Sequence, residues 1–197
     1  SFREMPSLTA RICGICPVSH LISSSKACDA LLAVQIPETA AKLRRMLNLA
    51  QVAQSHALSF FHLSAPDFVL GFDSDPAKRN ILGMIKKHPD LARDGITLRK
   101  FGQEIIRILG GKKIHPAWTV PGGVSAPLSE EDHASIKEGI PLALEQARRT
   151  LDWYKTIFGT FEDEMRTFAN FPSLFMGQVS PEGELALYDG KIRIVDA

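Results

Sequence analysis

Cys13 and Cys16 are two of only three cysteines in 197 residues, and they stand in the string Arg11-Ile12-Cys13-Gly14-Ile15-Cys16-Pro17-Val18-Ser19-His20. Thiolates at this spacing can grip a soft metal together or attack an electrophile. Gly14 is expected to let the backbone between them turn tightly, and Pro17 suits the first position of a helix, where its missing N–H is no loss. Both sulfurs then sit at a helix N-terminus. The partial positive charge there, with Arg11 adjacent, favours thiolate over thiol. His20 lies one helical turn beyond Cys16, which brings its imidazole near the second sulfur as a ligand or a hydrogen-bond partner.

The pair alone leaves several chemistries open: half of a zinc site, a dithiol redox couple, or two buried thiols. A structural zinc takes four protein ligands, but beyond this string the chain offers Cys28 and scattered histidines without a second paired spacing. A thioredoxin-like motif follows a strand, and only ten residues precede Arg11. Covalent haem attachment needs histidine directly after the second cysteine, where Pro17 stands. The non-catalytic alternative is a helical structural or interaction module that binds zinc through Cys13, Cys16, His20 and one ligand from elsewhere.

The longer pattern Arg-x-Cys-Gly-x-Cys-x-x-x-His resembles the amino-terminal cysteine motif of the large, catalytic subunit of nickel-iron hydrogenases. Two further stretches fit that family in order and distance, Ser55-His56-Ala57-Leu58-Ser59-Phe60-Phe61-His62-Leu63 and His115-Pro116-Ala117-Trp118-Thr119-Val120-Pro121-Gly122-Gly123-Val124. Within it, the run from Gly71 to Asn80 and the segment Ala27-Cys28-Asp29-Ala30 are similar to the cytoplasmic, NAD-reducing soluble type. The resemblance spans nearly the whole chain. The family's second cysteine pair, in an Asp-Pro-Cys-x-x-Cys motif, does not occur in this sequence.

The resemblance implies an enzyme that splits H2 reversibly and heterolytically at a nickel-iron centre. It makes Cys13 a terminal nickel ligand and Cys16 a bridge from nickel to an iron carrying carbon monoxide and cyanide. His20 would donate to a metal-bound sulfur, and Arg11 would lend positive charge beside the thiolates. A small subunit with an iron-sulfur cluster would receive the electrons, and diaphorase subunits with further clusters and FMN would pass them to NAD. The family also places a magnesium site near a glutamate upstream of the first cysteine pair, further from the cysteines than Glu4.

Composition sets the bounds. Net charge is +1 with no basic block, so neither nucleic acid nor an anionic membrane surface is indicated as a partner. No apolar run approaches the roughly 20 residues that span a bilayer. Three cysteines with one close pair argue against a disulfide framework and for a reducing, cytoplasmic compartment. The chain opens on Ser1 and stops at Ala197 in a strand-like run, and it reads as a fragment of a larger polypeptide.

The elements that must position the pair are mainly helical. A first helix is expected from about Val18 to Val34, with Cys28 about 18 Å beyond Cys16 and therefore a small buried thiol rather than a ligand. Ser23, Ser24 and Ser25 are assigned to close packing. A second helix, Glu38 to about Leu63, has Leu43, Leu47, Ala50, Ala53, Ala57 and Phe61 as its core stripe, with Lys42, Arg44 and Arg45 on polar faces. His56 and His62 lie about 240° apart around it and cannot share a metal. Further helices are expected from Pro76 to Lys87, ended by a break at His88-Pro89, then from Leu98 to Leu109 behind Thr97, from Ser129 to a break near Gly139, and from Leu142 to Phe168. The last should turn Leu144, Ala147, Leu151, Tyr154, Ile157, Phe158 and Phe161 inward. Short strands follow at Leu174–Val179, Glu184–Leu187 and Lys191–Val195. The fold expected is a mainly α helix bundle over residues 1–170 with a small antiparallel β ribbon near the C-terminus, over 171–197.

Overall fold

The computed structural model describes residues 1–196; Ala197, at the end of the expected ribbon, lies outside them. The chain is mainly helical with two small antiparallel sheets. It forms two compact units, the first running from Ser1 to Tyr154 and the second beginning at Lys155.

In the first unit, α1 (Met5–Thr9) leads through a 3-10 turn at Ala10–Ile12 into α2 (Pro17–Leu31), with Cys16 as its N-cap and Pro17 at its first position. Helix α3 (Glu38–Ala57) starts behind Pro37. It does not run on as an α-helix to Leu63. A π-helical segment, Leu58–Ser64, intervenes before α4 (Ala65–Leu70). An i→i+5 turn spreads each circuit over more residues, so neighbouring side chains point closer together. Phe60 and Phe61 use this. Their rings meet edge to face at 5.1 Å, Phe60 reaches the Tyr154 ring, and Phe61 lies in the core with Ala57, Ala65, Val69, Met84 and Leu91.

Helix α5 (Ile81–Lys87) begins five residues later than Pro76. Asp75 spends its carboxylate on a local turn, accepting from the Ala77 N–H at 3.0 Å, while Asn80 caps the helix by accepting from Leu82 and Gly83. Helix α6 (Pro89–Gly110) begins well before Thr97, because Pro89 is a first helical residue and not a break. Thr97 is interior to it and bonds back to the Arg93 carbonyl. α6 packs closely on α3 and the π segment. A Cβ on Gly95 would stand 2.3 Å from the Phe61 ring, and one on Gly102 would stand 2.8 Å from both Ala50 O and Gln54 Cβ.

A short hairpin of β1 (Thr119–Val120) and β2 (Gly123–Val124) then returns to α2 and α3, with Thr119 paired to Val124 and Val120 to Gly123. Its Pro121–Gly122 turn uses positive φ at Gly122 and Gly123. Arg44, assigned from sequence to a polar face, is instead fully buried beneath this turn at 0% exposure. Its guanidinium donates to Asp29 Oδ2 at 2.6 Å, Val120 O at 2.6 Å and Gly123 O at 3.0 Å, while Asp29 Oδ1 accepts from Gly122 N–H at 2.7 Å. Ser25, also in α2, meets the Thr119 hydroxyl at 3.0 Å.

Helix α7 (Glu130–Ile157) passes through Pro141 without ending. Pro141 and Lys137, whose carbonyl loses its intrahelical donor, are both exposed, so the gap in the ladder falls on the solvent side of the helix. The face of α7 that is buried is also not the one expected. Gln146 and Thr150 are buried, with Gln146 and Arg149 binding the buried carboxylate of Asp94, whereas Leu144 and Leu151 remain exposed. The buried acid on α6 fixes which side of α7 turns toward it.

In the second unit, a 3-10 turn at Phe158–Phe161 interrupts the long helix expected to Phe168, and α8 (Glu162–Thr167) follows. Gly159 within the turn has the weak helix propensity that permits the break. β3 (Leu174–Val179) pairs antiparallel with β4 (Lys191–Asp196), from Leu174 opposite Asp196 to Val179 opposite Lys191. The strand expected at Glu184–Leu187 is reduced to one bridge, Val179 to Leu185.

Removing one partner of a buried ion pair leaves the other uncompensated. Arg44→Ala is expected to destabilise the first unit by ~3–5 kcal/mol, seen as a lowered urea midpoint. Gly95→Ala, which must displace the Phe61 ring, should cost ~1–3 kcal/mol on the same assay.

Candidate metal centre

Cys13 lies in extended backbone just after the 3-10 turn, and Cys16 caps α2, so the two sulfurs face each other across the bend at the helix mouth. Cys13 Sγ, Cys16 Sγ and a ring nitrogen of His20 all lie within 4.8 Å of one another. This is the one such group of three or more His, Cys, Asp or Glu among the described residues. Both thiols are free and partly exposed. Two soft sulfurs and an imidazole, undistorted by a disulfide and reachable from solvent, fit a thiolate-bound nickel. Arg11 is exposed in the turn before Cys13 and outside the three-residue group.

The expected thiolate character belongs to one sulfur only. Cys13 is held below the usual thiol range, first by a hydrogen bond from the Cys16 side chain and then by backbone N–H donors, of which Cys16 N–H lies 3.2 Å from Cys13 Sγ. Cys16 is pushed the other way, because its S–H donates to Cys13 and is kept protonated by that bond and by partial burial. Gly14 also departs from expectation. It has no positive φ, and a Cβ there would meet nothing within 4 Å. The bend is held by its neighbours rather than by glycine's freedom.

Of those neighbours, His115 opens a stretch already noted in the sequence, whereas Gln51, Gln54 and Thr9 were not singled out. Gln51 and Gln54 on α3, both buried, donate through Nε2 to the Ile15 carbonyl at 2.9 Å each. On the other side, His115 Nδ1 lies 2.9 Å from the Ala10 carbonyl, held there in a positive-φ backbone. Thr9 Oγ1 reaches the His20 carbonyl at 3.3 Å. A glutamine pair three residues apart, on the same face as Leu47 and Ala50, was the available signal. His56 and His62 are exposed, and His56 Nδ1 is engaged with Val52 O. Cys28 is buried, its thiol 3.6 Å from the Phe2 carbonyl.

A family model described as nickel-dependent hydrogenase matches residues 1–81. One subunit of the vhu F420-non-reducing hydrogenase of Methanocaldococcus jannaschii is 41% identical over 98% of this chain and 46% of its own length. The chain belongs to the nickel-dependent hydrogenase large-subunit family. The beta subunit of the NAD-reducing hydrogenase HoxS of Cupriavidus necator is 36% identical, across 99% of this chain and 42% of its own. A crystal structure of an NAD+-reducing [NiFe]-hydrogenase in the H2-reduced state superposes with a TM-score of 0.93 at 40% identity, over 99% of this chain and 44% of that one. The Ni-Fe-Se hydrogenase of D. vulgaris Hildenborough, at 22% identity and a TM-score of 0.80, shares the fold. The chain spans about half the length of the curated relatives it matches.

In the metal-free protein, iodoacetamide should label Cys13 before Cys16. Its rate should rise with pH through a pKa below that of an ordinary thiol, because the reactive thiolate forms as the proton leaves. Cys16→Ala removes the donor that lowers that pKa, so labelling of Cys13 at neutral pH should slow.

Proposed function

We propose that this chain is part of the catalytic subunit of a nickel-iron hydrogenase that cleaves H2 reversibly and passes electrons through partner subunits to NAD. The observation that carries this reading is the convergence of Cys13, Cys16 and His20 at the mouth of α2. In it, Cys13 would hold nickel and Cys16 would serve both nickel and an iron that would carry carbon monoxide and cyanide. The remaining thiolates come from a segment corresponding to the length of the relatives that this chain does not span. When bound, such a centre supplies heterolytic cleavage of H2.

The residues of this chain set up the ligands. Cys13 offers a thiolate at once, while Cys16 must release its proton to become a second one, so loading is favoured as pH rises. His20 donates to a ligating sulfur and lowers its basicity, and Arg11 adds positive charge next to the thiolates. An iron-sulfur cluster on a small subunit would take up the electrons, and diaphorase subunits with FMN would pass them on. No helix of the described residues is long and apolar enough to cross a membrane. We place the protein in the cytoplasm, where free thiols persist.

NAD as acceptor rests on the likeness to HoxS and to the NAD+-reducing enzyme of known structure. The F420-non-reducing relatives support a second reading, in which the same H2 chemistry serves another carrier. H2-dependent reduction of NAD, measured against an artificial viologen acceptor, separates the two.

The purified protein should contain nickel and iron and show infrared bands of iron-bound carbon monoxide and cyanide. Stoichiometric zinc without nickel would overturn the reading. Cys16→Ser should abolish metal assembly, read by elemental analysis, whereas Cys28→Ala should leave H2 uptake largely intact.

A further inference from the structure

The carbonyl of Ile15 and the N–H of Cys16 belong to one peptide unit, and the two ends of that unit are engaged on opposite sides. Gln51 and Gln54 donate to the oxygen at 2.9 Å each, filling both of its lone pairs. The N–H donates to Cys13 Sγ at 3.2 Å. Because a trans peptide is planar with its C=O and N–H antiparallel, fixing the oxygen fixes the direction in which the N–H points. We propose that Gln51 and Gln54 are positioning residues that act through the Ile15–Cys16 peptide to aim and strengthen the N–H···S bond to Cys13.

Three observations make this more than packing. First, both amides are almost wholly removed from solvent, Gln51 at 2% and Gln54 at 4% exposure, so their bonds to Ile15 act in a medium where hydrogen bonds polarise one another along a chain. Second, Gln51 Oε1 is buried and has no partner among the described residues. The amide keeps its donor end on Ile15 although its acceptor end goes unmatched; turned over, it would set oxygen against oxygen. Third, Gln54 is held from behind. Gly102 brings α6 so close to α3 that any Cβ there would stand 2.8 Å from Gln54 Cβ and 3.0 Å from its backbone nitrogen. The chain of influence therefore runs from the α3–α6 contact through two side-chain amides and one peptide to a sulfur.

Two donors pulling on the carbonyl make its N–H a better donor, and an N–H···S bond draws electron density from the thiolate. This rests on the reading of Cys13 as a nickel ligand for its consequence, but not for its geometry. Gln51 and Gln54 bond to the Ile15 carbonyl and stand outside the Cys13, Cys16 and His20 group; they set the electronic character of a ligand.

The test is the metal-loaded protein carrying Gln51→Met and Gln54→Met, which keep side-chain length and remove both donors. Hydrogen exchange at the Cys16 amide should speed up by about tenfold, the loss of a hydrogen bond of ordinary strength. With nickel and iron content retained, the carbon monoxide band should move to lower wavenumber as the sulfur becomes more electron-rich. Each single variant leaves one donor and should show a smaller change of the same sign, which serves if the double variant does not fold. Wild-type exchange at Cys16 together with unmoved bands, even with a lowered melting temperature, would overturn the proposal and leave the glutamines as packing. If the unmodified protein proved to have no such bands, the hydrogenase reading would fail, while Cys16 exchange in the single variants would still decide whether the glutamines act on that peptide.

Discussion

The fold around the thiols depends on a buried charge pair. Arg44 reaches from α3 to Asp29 on α2 and to two carbonyls of the hairpin, and the second oxygen of Asp29 returns to the hairpin turn. One guanidinium and one carboxylate therefore tie three separate pieces of chain at fixed directions. A pair of this kind repays the cost of burial only when its donors and acceptors are well matched, and here all three guanidinium nitrogens and both carboxylate oxygens have partners. Apolar side chains could fill the same volume, but they would not dictate the angle between α2 and the hairpin. The N-terminus of α2, where Cys16 stands, inherits that angle.

The region around the thiols is built in the same manner, by polar groups reaching across from other elements. The bend between Cys13 and Cys16 makes little use of its own sequence to hold its shape, since Gly14 has no positive φ and has open space around it. Its Ile15 carbonyl is held instead from α3 by Gln51 and Gln54, and the Ala10 carbonyl of the turn before it is met by His115 from the loop before the hairpin. The sulfurs are engaged only within the bend itself, Cys13 accepting from its backbone N–H groups and from the Cys16 side chain. This division suits a metal site, because the frame can be rigid while the ligand atoms remain available.

What can be read from sequence is local. The two cysteines, the proline behind them and the histidine one turn on form a self-contained pattern, in which helical periodicity brings His20 near Cys16 and the short spacing brings Cys13 near both. The buried roles of Arg44 and Asp29 are hidden because each looks like an ordinary surface charge until the partner 15 residues away is placed beside it. Pro89 misleads because a proline marks a helix start and a helix stop with equal force, and only its position relative to the apolar stripe of α6 decides. On α7 the apolar stripe points to one face, but burial follows the carboxylate of Asp94, a choice made by another element. Both glutamines lie in plain view on α3 and carry no signal by themselves; their meaning arises when Ile15 comes within reach.

The π-helical segment between α3 and α4 gives this stretch an unequal tolerance of length change. It holds one residue more than an ordinary α-helix needs between the same two ends, so deleting a single residue between Leu58 and Ser64 would let it relax with α4 close to its present direction. Deleting a second residue would have no such reserve and would swing everything after it by about 100°. Ala65 and Val69 would then leave the core, and the Val69 carbonyl would turn away from Lys87, which it now meets at 2.8 Å.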